Sequence, residues 1–188
     1  LARQGLSSVA AICLNHAAQP YGDAAIAAMS VVSRIMNFAS SALIGFGQGF
    51  QPVCGFNYGA QLYGRVRRAF WFCVKVSTVC LVVIAAAGAC FSPQLIEVFR
   101  DDPVVVEYGA RALRLQWLSF PTVGFVTMGN MMLQTIGRTR PATVLAMGRQ
   151  GLFFLPFILV LPGFLGMLGV QLSQPLADLL TFVIAVPI

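Results

Sequence analysis

Long apolar runs separated by short polar clusters dominate this sequence. Each run is close to the roughly 20 residues an α-helix needs to cross about 30 Å of hydrocarbon. Six can be placed, at residues 4–19, 24–51, 69–91, 104–136, 142–161 and 165–188. They predict an all-α integral membrane protein, a six-transmembrane-helix bundle forming one domain over residues 1–188. The breaks carry the residues that end helices. Pro20, Gly22 and Asp23 mark a first turn, Pro52 closes the second run, and residues 55–68 (GFNYGAQLYGRVRR) read as an arginine-rich loop. Residues 93–100 mix Leu95, Ile96, Val98 and Phe99 with Glu97 and Arg100, which predicts a short helical segment lying at the interface. Pro121 predicts a bend in the fourth helix, and Pro162-Gly163 a turn into the sixth.

Composition gives the same answer. Hydrophobic residues make up 58% and charged residues 10%, with a mean hydropathy of +0.81, outside the range of water-soluble domains. The solvent expected for this chain is the lipid bilayer. A net charge of +6 does not turn the reading toward nucleic acid, because the basic residues are scattered among apolar runs. They set topology instead. With a cytoplasmic N-terminus, the inner loops hold Arg3, Arg65, Arg67, Arg68, Arg138 and Arg140, and the outer loops hold Arg100 beside Asp23, Glu97, Asp101 and Asp102. That is a positive-inside bias, and it places both ends of the chain in the cytoplasm. Cys13, Cys54, Cys73, Cys80 and Cys90 have neither CxxC nor histidine-paired spacing, so no metal site is expected. No HExxH motif, paired aspartates or Ser/His/Asp set is present, so the chain reads as no enzyme. The first run lacks a charged leader and a cleavage site and begins in mid-pattern, so a preceding segment is expected.

Residues 45–68 (GFGQGFQPVCGFNYGAQLYGRVRR) resemble the signature at the cytoplasmic end of the second helix in a lobe of the MATE (multidrug and toxic compound extrusion) family. Ala2-Arg3-Gln4-Gly5, Pro20-Tyr21-Gly22-Asp23, Phe99-Arg100-Asp101-Asp102 and Arg149-Gln150 are similar to the family pattern in order and spacing. The resemblance covers nearly the whole chain and implies the C-terminal lobe, helices seven to twelve of twelve, with the N-terminal lobe absent. It further implies a bacterial inner-membrane antiporter that exports organic, mostly cationic amphiphiles by alternating access, coupled to H+ or Na+ and needing no cofactor. A lipid-carrier flippase of the same superfamily is the second reading the fold allows. It would want a more basic cavity than Arg34 alone supplies.

Polar side chains inside hydrocarbon are costly and tend to face a bundle interior or a wet cavity, so their helical phase is informative. In the second run Ser30, Arg34, Asn37, Ser41 and Gln48 share one face within about 60° of arc. Such a stripe suits a cleft wall or a helix seam. Asn15 lies on a polar face of the first run, with His16 turned aside. Thr127, Asn130, Met131 and Gln134 share a face of the fourth, where amides beside an adaptable methionine suit loose recognition of varied cations, or ordinary packing. Glu107 and Arg111 are spaced for a local ion pair, and Arg149 is placed to extend toward the inner interface. Arg34 and Asp178 are the deepest opposite charges, at similar depth in helices running in the same direction. They are expected to pair, as a coupling switch or a permanent brace.

Overall fold

The computed structural model describes residues 2–187, without the side chains of residues 2–4, 6, 7 and 150. The side chains of Arg3, Gln4 and Gln150 in the family-like motifs, and Ile188 at the expected end of the sixth run, lie outside this set. The described residues form eight α-helices and no strand. These are α1 (Ala2–Ala18), α2 (Asp23–Gly59), α3 (Tyr63–Cys90), α4 (Ser92–Glu97), α5 (Pro103–Thr135), α6 (Thr139–Met147), α7 (Phe154–Leu165) and α8 (Met167–Ala185). A 3₁₀ turn, Gln19–Tyr21, joins α1 to α2, and a π-helical turn, Gly148–Leu152, lies between α6 and α7. Phe153 keeps helical backbone angles, so α6, the π turn and α7 continue one another as a single rod. The bundle therefore has six rods and the short α4.

α2, α3 and α8 are long and apolar enough to cross a membrane. α5 is longer than α8 but carries Glu107, Arg111 and Arg114 near its start. It is also the helix around which the others pack, meeting α2, α3, α4, α6 and α8. Its inward side chains Leu113, Trp117, Phe120, Val123 and Met128 are all buried. By contrast, α3 exposes Phe72, Val79 and Val83, which is what a lipid-facing helix should do. Small residues bring helices close. A Cβ added at Gly169 would stand 2.7 Å from the backbone nitrogen of Pro162, so α8 meets the α7 backbone directly.

Three local expectations are corrected. α2 does not stop before Pro52 but continues through it to Gly59, and the expected loop is mostly helix, with only residues 60–62 turning the chain into α3. Likewise α7 passes through Pro162, and the turn falls at Gly166, whose φ of +60° needs a glycine. Proline fixes a φ that the helix already uses and removes one N–H. In a membrane bundle that loss is tolerated more readily than the exposed backbone of a loop would be. Third, Glu107 and Arg111 form no ion pair; both are exposed. Water at a helix end competes with so short a pair.

Candidate substrate cleft

Two cavities open beside α5. The first, about 310 Å³, is lined from α1 by Ala10 and Leu14, from α2 by Met29, Ser33, Met36, Asn37 and Ser40, from α5 by Gln116, and across from these by Arg149, Phe154, Gln174 and Asp178. The second, about 260 Å³, is lined by Ser40, Gln48 and Gln51 of α2, by Thr127, Asn130, Met131 and Gln134 of α5, and by Leu145 and Arg149. Ser40 and Arg149 border both, so the two are neighbouring compartments with a shared partition. The first volume is within the usual size of a small-molecule pocket.

Asp178 sits roughly 16 Å along α8 from its N-terminal end at about 1.5 Å per residue, and is only 5% exposed. Its partner is Arg149, not Arg34. The Nε of Arg149 donates to Oδ1 of Asp178 at 2.9 Å, and Gln174 Nε2 donates to the same oxygen at 3.1 Å. This is the one salt bridge among the described residues. Arg34 is exposed on α2 and lines neither cavity. Equal depth along two helix axes does not make Arg34 and Asp178 neighbours. α5 packs against both α2 and α8, those two make no substantial direct contact, and the first cavity occupies the gap between them. A deep carboxylate takes the nearest cation that can reach it.

Arg149 reaches Asp178 because of the π turn. The turn closes with Phe153 N–H donating to the Gly148 carbonyl at 3.1 Å, an i to i+5 bond that admits an extra residue and re-aims the side chains around it. Gly148 allows a close approach there: a Cβ would press on Phe153 and on Thr181 Oγ1 of α8, at 3.1 and 3.3 Å. The rod is thereby held against α8 one turn from Asp178.

The other candidates divide. Asn37 lines the first cavity, and Thr127, Asn130, Met131 and Gln134 line the second. Asn15 is exposed on α1 one turn beyond Ala11 and lines neither. Asn130 also holds two helices together. Its Nδ2 donates to the Ala142 carbonyl at 2.9 Å, tying α5 to α6, and its Oδ1 accepts from Gln134 Nε2. Met131 fills the notch left by Gly47 on α2. Gln116, 6% exposed, and Ser33, Ser40 and Gln51 belong to the cleft but did not stand out in the sequence. Gln116 could have been found by asking which polar residues of α5 lie on the face opposite Arg114.

A model of the MatE family matches residues 4–160 of this sequence. The chain belongs to the MatE family. Among relatives of this MatE chain, the multidrug export protein MepA of Staphylococcus saprophyticus is 27% identical over 176 residues, covering 92% of the chain and 38% of MepA. MepA of Staphylococcus aureus is 26% identical over 158 residues, covering 84% and 35%. The chain thus spans under two fifths of the length of these relatives. The fold is shared with solved structures: a mutant of the MATE transporter VcmN from Vibrio cholerae superposes with a TM-score of 0.90 at 20% identity, covering 97% of this chain and 42% of that one. A MOP-superfamily transporter from Pyrococcus furiosus gives the same TM-score, identity and coverage.

Proposed function

We propose that this MatE chain forms one wall of the cleft of a bacterial inner-membrane antiporter. It would work against a second lobe and export organic cations by alternating access in exchange for H+ or Na+. The observation that carries the reading is the pair of adjoining cavities, lined by adaptable methionines, amides and hydroxyls around one deep carboxylate. That chemistry suits varied amphiphilic cations: apolar surface takes the hydrophobic body, amides donate or accept as required, and no fixed array selects one shape. The MepA relatives, which are multidrug export proteins, support the same reading. Binding near the middle of the membrane, at the interface of two repeats, is the usual arrangement in secondary transporters. The arginine bias of the loops supports a cytoplasmic position for both ends of the chain.

The test is transport by the full-length protein in proteoliposomes, following ethidium movement under an imposed proton gradient and, separately, a sodium gradient. Gradient-driven ethidium transport by one of them supports the reading and names the ion. Transport driven by neither, with correctly inserted protein, refutes it.

A further inference from the structure

The ion pair in the cleft is built to be opened. A guanidinium and a carboxylate make their strongest contact through two parallel hydrogen bonds. Here only Nε of Arg149 is used, and it shares Oδ1 of Asp178 with Gln174. Among the described residues, Oδ2 of Asp178 and the terminal amino groups of Arg149 have no other hydrogen-bond partner. The two sides of the pair are also unequal. Asp178 is fixed in the α8 wall at 5% exposure, whereas Arg149 is 26% exposed and borders both cavities. Among the described residues no other charged side chain lines either cavity, so the described cleft wall is electrically neutral and offers no free charge to attract a cation.

We propose that Arg149 is a built-in substitute for the transported cation: a cationic substrate entering the first cavity takes its place at Asp178, and Arg149 withdraws into the second. The inference rests on the organic-cation reading and assigns its binding residue. The second cavity is a suitable refuge, because Gln48, Gln51 and Gln134 offer amide oxygens to a displaced guanidinium. The first has Met29, Met36, Leu14 and Phe154 to enclose an apolar body beside the carboxylate. The exchange keeps Asp178 paired with a cation with and without substrate, and the amide oxygens of the second cavity take the guanidinium that is displaced. Entry of a cation therefore never strands Asp178 alone in low dielectric. A neutral amphiphile of the same shape cannot displace the arginine, which gives selection for charge without selection for shape.

The experiment measures ethidium binding by fluorescence to the full-length protein in lipid nanodiscs, for wild type, Arg149→Gln, Asp178→Asn and the double variant. Displacing the arginine reduces apparent affinity by the fraction of molecules in which the pair is open. With the pair closed in most molecules, Arg149→Gln should bind ethidium about tenfold more tightly. Asp178→Asn should bind it at least about tenfold more weakly, the loss of one charged contact. The double variant should match Asp178→Asn, because the arginine acts only through that carboxylate. Tightening by Arg149→Gln that persists without Asp178 would mean a general charge effect and would overturn the proposal, as would unchanged affinity in either single variant. Where Arg149→Gln is unstable, it is prepared with ethidium throughout. Rescue by ethidium and not by uncharged phenanthridine supports the exchange, and no rescue rejects it. Wild-type protein that fails to bind ethidium at all rejects the organic-cation reading together with this one, whereas wild-type binding that ignores both residues rejects the exchange alone.

Discussion

Replacing Arg149 with glutamine removes the only cation among the described residues that faces Asp178 and leaves the carboxylate with Gln174 as its single described donor. A charge stranded near the centre of a membrane helix costs about 3 kcal/mol on insertion scales. Breaking a fully buried pair costs about 3–5 kcal/mol. Arg149 is 26% exposed and borders a cavity that water can enter, so solvent screening brings the cost below that range. A loss of about 2 kcal/mol is expected for Arg149→Gln. Asp178→Asn should cost less, about 1 kcal/mol, because the freed arginine reaches the second cavity. The double variant has two neutral amides of similar size and no stranded charge, and it should return most of the loss. A coupling of about 2 kcal/mol in the double-mutant cycle is the expected result. Equilibrium unfolding by denaturant titration in mixed micelles, without ligand, measures all four proteins. If Arg149→Gln is no less stable than the double variant, the pair does not stabilise this bundle and its role as a brace is refuted.

Arg34→Gln, removing an exposed arginine that faces neither cavity, should change stability by less than about 0.5 kcal/mol in the same assay. Gly169→Val should cost about 2–3 kcal/mol, because the new side chain meets α7 backbone that cannot yield. Gly148→Ala, against the ring of Phe153 and the hydroxyl of Thr181, should cost less; thermal unfolding ranks the two, and the reverse order would contradict the packing described. Asn130→Ala should remove about 1 kcal/mol with its bond to Ala142 and speed amide exchange in α6, read by hydrogen–deuterium exchange.

Helix content and the order of the rods were legible because lipid imposes one pattern, about 20 apolar residues per crossing. Their ends were less so. Pro52 and Pro162 carry the same local signal as Pro20, yet only Pro20 lies at a break in the helices, since the backbone responds to its surroundings as well as to the residue. Among site residues, helical phase grouped Thr127, Asn130, Met131 and Gln134 on one cavity wall, because they share a single unbroken helix. Phase fails between helices. Depth placed Arg34 level with Asp178, but azimuth, which the linear sequence does not encode, gave the contact to Arg149. The π turn hid that partner further, since it shifts the phase of every later residue in the rod.

The uninterrupted length of α2 has a mechanical side. At about 1.5 Å per residue its 37 residues make a rod of roughly 55 Å, well over the thickness of the hydrocarbon. Asn37 and Ser40 of the first cavity, Gln48 of the second and the hairpin to α3 all ride on it. For a helix that moves as one body, a tilt of about 5° about one end displaces the other by about 5 Å. The helix is thus a lever whose short arm is the cleft wall, and its far end is where small forces at the membrane surface gain the most purchase on the site.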